Sequence, residues 1–135
     1  MMLLISNLYP RPDRPRRGLF NRQLFSALAD RVRQDGSSVE TLVPVADGRL
    51  YRHREIARWK EPEEAGPGLN ARYLPYFYLP LIGRSTGAFW YRQSLKREAE
   101  LLSRADRILA TWLYPDGVAV AKWAATQGKR VGILV

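Results

Sequence analysis

Apolar runs and amphipathic stretches alternate along the first third of the chain. Residues 2–7 (MLLISN) are almost continuously apolar, which is typical of a strand buried on both faces. Between residues 18 and 33, apolar side chains recur every fourth position and predict a helix; they are Phe20, Leu24, Leu28 and Val32. Residues 39–45 (VETLVPV) are rich in β-branched side chains and predict a second strand. Together the three elements predict a βαβ unit with a right-handed crossover.

The alternation resumes after a polar surface excursion at residues 47–68. Residues 69–81 predict an edge strand followed by a covering loop, because Pro75 and Pro80 lack the N–H that a central strand needs. Ser85 or Thr86 is expected to cap a helix that runs through residue 104. The remaining predicted elements are a strand at 107–112, a helix at 116–127 ended by Gly128, and a buried strand at 129–135. This order predicts an α/β fold: a Rossmann-like open parallel sheet with helices on both faces.

A glycine pattern at residues 66–71 (GPGLNA) matches a loose dinucleotide-binding motif. We reject it because it precedes a predicted strand, whereas the motif follows a strand and opens a helix. The chain also stops on its last predicted strand, with no loop or helix after it. We therefore expect residues 1–135 to be a single domain cut from a longer protein.

Composition favours some partners for this chain and excludes some kinds of site. The 22 Lys and Arg residues outnumber the 13 Asp and Glu residues, and the net charge of +9 favours anionic partners. The lack of cysteine excludes disulfides, thiolate zinc sites and cysteine nucleophiles in this chain, and a single histidine excludes a His-pair metal site. Neither a signal peptide nor an apolar stretch long enough to span a bilayer is recognisable, so a cytoplasmic location is expected.

The loop after the first strand combines positive charge with a helix start. Residues 8–17 (LYPRPDRPRR) are stiffened by three prolines and hold Arg11, Arg14, Arg16 and Arg17 just before Gly18 opens the helix. Ligands of doubly wound sheets bind at the carboxyl ends of the strands, and a helix N-terminus with a glycine accepts anions. A phosphate site is therefore one interpretation. The other is that Gly18 only permits the turn and the arginines are solvated.

A second loop, residues 111–117 (TWLYPDG), should face the first across the crevice of the sheet. Asp116 can accept a substrate hydroxyl or cap the following helix, and capping is the commoner use. The rings of Trp112 and Tyr114 can stack on a sugar or base, or belong to the core.

Three segments resemble the N-terminal half of group 1, family 4 glycosyltransferases. They are Tyr9-Pro10 followed after seven residues by residues 18–23 (GLFNRQ), the Val43-Pro44 end of the second strand, and residues 112–117 (WLYPDG). The resemblance implies a GT-B architecture of two Rossmann-like domains, of which the N-terminal one binds mainly the acceptor and a C-terminal one mainly the nucleotide-sugar. It also implies sugar transfer with retention of anomeric configuration, without a metal or other cofactor.

The resemblance further implies roles for particular residues. Gly18 would lie near the donor phosphates with help from Arg17 and Arg22, while Tyr114, Asp116 and Gly117 would border the acceptor cleft. Many relatives have two glycines in the first loop, and this chain has one. The family's His-Gly-x-Asp segment and donor-binding Glu-x7-Glu element are not assigned within residues 1–135, so the catalytic residues are unknown and this stretch alone should be inactive.

The expected partners are thus a nucleotide-sugar donor and a polysaccharide or glycolipid acceptor, with peripheral contact to an anionic membrane suggested by the net charge. A non-enzymatic nucleic-acid-binding module is the alternative, suggested by 18 arginines. Its basic residues, however, are scattered over every element and form no recognised nucleic-acid motif, so no nucleic acid is expected. A stand-alone flavodoxin-like domain ranks last, because the first loop is not rich in Gly, Ser or Thr and no acidic cluster is present.

Overall fold

A computed structural model describes residues 1–63 and 69–134 of the chain. Part of the polar excursion, half of the rejected glycine pattern and Val135 lie outside these residues. The strands are β1 (Met2–Ile5), β2 (Val39–Ala46), β3 (Arg72–Tyr76), β4 (Arg107–Thr111) and β5 (Arg130–Leu134). The helices are α1 (Leu19–Gln34), α2 (His53–Ala57), α3 (Gly83–Leu95), α4 (Ala99–Arg104) and α5 (Val118–Gln127).

All five strands are parallel and lie in the order β3-β2-β1-β4-β5. The predicted fold class is confirmed, and β3 is at an edge as the prolines predicted. Strands β2 and β3 follow β1 on one side of it. The chain then crosses back, and β4 and β5 lie on the other side of β1. The strand order therefore reverses between β1 and β4, and the loops after these two strands leave the same edge of the sheet.

Alternate side chains of the strands supply two separate cores. Leu3, Ile5 and Ile108 face the side covered by α3, α4 and α5. Leu4 and Val43 face the opposite side, where Phe25 of α1 and Ile56 of α2 pack on them. Both faces of the sheet are covered, as a parallel sheet requires.

The predicted apolar face of α1 is displaced in the structure. Phe25, Ala29 and Val32 form the buried face, whereas Phe20 is 75% exposed. The helix begins at Leu19, directly after Gly18 in a left-handed conformation. The four-residue spacing thus identified the helix but not the orientation of its first turn.

The predicted helix at 85–104 and strand at 129–135 also need correction. The helix is interrupted by a tighter turn at Lys96–Glu98, and neither Ser85 nor Thr86 caps it. It begins instead at Gly83, and both hydroxyls donate to the carbonyl oxygen of Ile82 at 3.0 Å. Strand β5 is not buried: it lies at the edge of the sheet with residues alternately exposed and half-buried.

Candidate functional site

A buried polar network fixes the start of the first loop. The Thr111 hydroxyl of β4 donates to Ser6 Oγ at 2.6 Å, and Asn21 Nδ2 of α1 donates to the carbonyl oxygen of Leu8 at 2.9 Å. Ser6 and Thr111 are almost fully buried, so these bonds are shielded from water. The network ties the loop after β1 to both β4 and α1, which gives the loop a defined path across the sheet edge.

Gly18, a predicted donor contact, has a structural reason to be glycine. Its φ is +68°, and a Cβ at this position would lie 2.4 Å from the carbonyl carbon and oxygen of Leu8. The space beside its Cα is filled by the chain's own loop. The interpretation in which Gly18 permits the turn therefore has direct geometric support, while contact with donor phosphates stays a prediction.

Arg22, the second predicted donor contact, is buried in α1 with 7% of its surface exposed. Its Nε and Nη2 atoms have no hydrogen-bond partner among the described residues. It lies near Tyr9, whose hydroxyl donates to Glu61 Oε1 at 2.7 Å. Burial, reinforced by Glu61, raises the pKa of Tyr9 above its ordinary value.

Arg17, the third predicted donor contact, lies with two other arginines of the first loop. Arg11, Arg14 and Arg17 line one cavity of about 180 Å³ over the carboxyl ends of β1 and β2; its other walls are Asn7, Pro44, Ala46 and Tyr76. We name this cavity the arginine pocket. Burial lowers the pKa of Arg17, and the positive charges of Arg11 and Arg14 lower it further. The loop arginines are thus not all independently solvated.

The second loop turns sharply as it leaves β4. Trp112 has a φ of +71°, the Tyr114–Pro115 peptide bond is cis, and residues Leu113–Gly117 form a wide turn before α5. The Tyr114 hydroxyl donates to the carbonyl oxygen of Arg84 in α3. Tyr114 is 45% exposed, so its ring is available at the surface of the cleft.

Tyr114 lines a second cavity of about 220 Å³, which we name the tyrosine cavity. Its walls include Asn7, Tyr76, Tyr78, Arg84, Gly87, Tyr114 and Pro115. Asn7, Ala46 and Tyr76 line both this cavity and the arginine pocket, so the two are neighbours. The loops after β1 and β4 therefore share one cleft at the switch point of the sheet.

Asp116, a predicted acceptor residue, is fully buried and does not line the tyrosine cavity. Nor does it cap α5, whose first turn has no side-chain cap. Its Oδ2 instead accepts the backbone N–H of Asn7 at 2.8 Å, joining the two loops. The Tyr91 hydroxyl lies near it, yet neither that hydroxyl nor Oδ1 has a partner with hydrogen-bond geometry.

Burial raises the pKa of Asp116 from its ordinary value of 3.8 to about 7, against the opposing effects of the Asn7 N–H and the Tyr91 hydroxyl. Gly117, the last predicted acceptor residue, is buried as well. A Cβ on Gly117 would lie 2.9 Å from the carbonyl oxygen of Trp112. Of the three predicted acceptor residues, Tyr114 alone faces the cavity, and the other two shape the turn that presents it.

Among the residues of the cleft that were not predicted from the sequence are Asn7 and Gly87. Asn7 ends the first apolar run and lines both cavities, which a polar residue after a buried strand could have indicated. Gly87 lies inside α3, where a Cβ would approach the Tyr114 hydroxyl to 3.2 Å. A glycine in a helix interior was the available signal, because it marks a close approach of another group.

The described residues offer no cluster of three Asp, Glu or His side chains that could hold a metal ion. None of their helices is both long enough and apolar enough for a bilayer span.

Comparisons with known proteins do not assign this chain to a family. The chain matches no protein-family model and no curated protein. The resemblance to group 1 glycosyltransferases is therefore carried by its three motifs, and what can be said of this chain from its structure is that it is a Rossmann-like α/β domain.

Proposed function

We propose that this chain is the acceptor-side domain of a retaining glycosyltransferase that transfers a sugar from a nucleotide-sugar to a polysaccharide or glycolipid. The observation that carries the proposal is the shared cleft at the switch point, built from a cationic loop after β1 and an aromatic loop after β4. Cations suit phosphate-bearing substrates, and the half-exposed Tyr114 ring suits stacking on a sugar. Two of the three glycosyltransferase-like motifs include residues of these loops, and the third, Val43-Pro44, lies in β2, where Pro44 lines the arginine pocket.

The resemblance assigns the loop after β1 to the donor and the loop after β4 to the acceptor. Of the predicted donor contacts Gly18, Arg17 and Arg22, Arg17 lines the arginine pocket and the other two do not. A second domain supplies most donor contacts, and the 135 residues alone are inactive.

The proposal is tested by transfer assays on the full-length protein with a panel of nucleotide-sugars and oligosaccharide or glycolipid acceptors, read as release of the nucleoside diphosphate. Tyr114→Ala should raise KM for the acceptor about tenfold while leaving KM for the donor unchanged, because a stacking contact contributes about 1–2 kcal/mol. Tyr51→Ala is the matched control, since Tyr51 is 81% exposed and lines neither cavity. Absence of nucleotide release with every combination would overturn the proposal.

Peripheral membrane contact belongs to the same proposal. Residues 65–97 contain no Asp or Glu and five basic residues. Within this segment the structure exposes large apolar side chains at the start of α3 and along its outer side; they are Leu79, Leu81, Ile82, Phe89 and Trp90. Apolar side chains among cations fit an anionic lipid surface, which would bring a glycolipid acceptor to the tyrosine cavity beside α3.

A further inference from the structure

The arginine pocket has more positive charge than the protein neutralises. Asp13 binds Arg11 through two hydrogen bonds, Nε to Oδ1 at 2.9 Å and Nη2 to Oδ2 at 2.7 Å. Neither Arg14 nor Arg17 has a carboxylate partner within residues 1–63 and 69–134. The Asp13 carboxylate is the only one among the described residues with a resolved effect on the pKa of Arg17, and it is already paired with Arg11. Three guanidinium groups thus share one carboxylate at this cavity, and an anion placed there would relieve their repulsion.

The backbone of the loop that carries these cations is held in place by hydrogen bonds. The backbones of Arg11 and Arg14 exchange two hydrogen bonds of 3.2 and 3.0 Å, and the N–H of Arg17 donates to the carbonyl oxygen of Arg14 at 3.2 Å. The Tyr73 hydroxyl of β3 donates to the carbonyl oxygen of Pro10 at 2.5 Å and anchors the loop to the sheet. An anion that binds here therefore has to order side chains but not the loop that carries them, which lowers the entropic cost of binding.

The size of the arginine pocket favours one phosphate group over a whole nucleotide. Its volume of about 180 Å³ is below the roughly 300–1,000 Å³ typical of pockets that enclose drug-sized ligands. It also shares Asn7, Ala46 and Tyr76 with the tyrosine cavity, whereas neither Gly18 nor Arg22 lines it. An anion in the pocket is thus adjacent to the proposed acceptor and apart from two of the three predicted donor contacts.

We propose that the arginine pocket binds a phosphate group carried by the acceptor, so that Arg17 recognises the acceptor rather than the donor. The enzyme would then act on a phosphorylated sugar or a lipid-linked sugar phosphate. This inference rests on the proposed function, because it is the transfer reaction that distinguishes an acceptor from a donor.

Binding is measured by calorimetry on the full-length protein with inorganic phosphate, glucose 6-phosphate, glucose and a panel of UDP, GDP and ADP. Phosphate and glucose 6-phosphate should bind, and glucose should not. The double variant Arg14→Ala/Arg17→Ala should weaken phosphate binding about ten- to hundredfold, as expected for loss of charge-assisted hydrogen bonds. Arg16→Ala, an exposed arginine of the same loop that does not line the pocket, is the matched control and should bind phosphate as the unaltered protein does.

The measurements with UDP, GDP and ADP distinguish an acceptor phosphate from a donor phosphate. Nucleoside diphosphate binding that survives Arg14→Ala/Arg17→Ala supports an acceptor phosphate, and binding lost together with phosphate would overturn the inference while leaving sugar transfer standing. Phosphate binding insensitive to the double variant would also overturn it. Phosphate binding with no nucleotide binding and no transfer would refute the proposed function, and with it the assignment of this phosphate to an acceptor.

Discussion

At Gly18 a backbone carbonyl, rather than a ligand, occupies the space that a side chain would need. Asp116, expected to border the acceptor cleft, likewise lies buried under the turn, where its carboxyl group accepts the N–H of Asn7. Both residues thus have a structural role beside the binding role that the resemblance implies for them. Such roles can be tested one residue at a time.

Gly18→Ala should destabilise the protein strongly. The φ of +68° costs an L side chain about 1–2 kcal/mol, and the Cβ would also clash with Leu8, so we expect a loss of about 2–4 kcal/mol in the free energy of unfolding. Gly128→Ala is the control, because its φ is +64° with nothing within 4 Å of the added Cβ, and it should lose only about 1 kcal/mol. Urea unfolding measures both variants, and equal losses would contradict the clash at Leu8.

Asp116→Asn should change how stability depends on pH. The folded-state pKa of about 7 lies above the ordinary 3.8, so this group's favourable contribution is fully present below 3.8 and is lost as pH rises through about 7. Asparagine keeps an acceptor for the Asn7 N–H and cannot ionise. The variant should therefore gain about 1–4 kcal/mol relative to the unaltered protein between about pH 5 and pH 8, measured by urea unfolding. A difference that does not vary with pH would contradict a raised pKa.

Among the helices and strands, periodicity identified where each element lies in the sequence. It did not identify the residue at which a helix starts or which of its side chains face the sheet. The spacing in α1 located the helix, while Phe20 in its first turn faces outward. Ser85 and Thr86 have the chemistry of caps, yet α3 starts two residues earlier and uses both hydroxyls inside its first turn. Local patterns do not specify these details, because neighbouring elements decide where each turn starts.

Glu61 links elements that the sequence presented as a surface excursion. It accepts the Tyr9 hydroxyl at 2.7 Å and the backbone N–H groups of Leu69 and Ala71 at 2.9 and 3.2 Å. Glu61→Ala leaves these donors unpaired and should cost about 2–4 kcal/mol of unfolding free energy. Thermal unfolding measures the loss. Glu63→Ala, at an exposed position with no such bonds among the described residues, should leave the unfolding midpoint unchanged; a similar effect from both variants would show that Glu61 is not an anchor.

At the scale of the whole molecule, charge and exposed apolar area are unevenly distributed. The net charge of +9 coexists with an acid-free segment whose apolar side chains surround the start of α3. Phe20 is equally apolar and exposed, but it belongs to α1 on the opposite face of the sheet. Membrane contact should therefore depend on one side of the protein.

Sedimentation with vesicles tests this asymmetry. The protein should bind vesicles that contain phosphatidylglycerol better than vesicles of phosphatidylcholine alone, and salt should weaken the binding. Leu81→Ser/Ile82→Ser, at positions 99% and 53% exposed, should reduce binding several-fold because two apolar anchors are lost. Phe20→Ser should bind as the unaltered protein does. Equal binding by all three proteins would contradict a docking face at the start of α3.

Hydrophobic period and the rules that connect parallel strands were enough to predict the strands in their order, the parallel sheet and the closeness of the two loops. Which side chains of those loops face the cleft became clear from the three-dimensional structure alone. Asp116 and Arg22 are buried, whereas Arg14, Arg17 and Tyr114 line cavities. The reason is that the loops are shaped by contacts between residues far apart in the chain, such as Asn7 with Asp116 and Ser6 with Thr111, and no local pattern encodes such contacts.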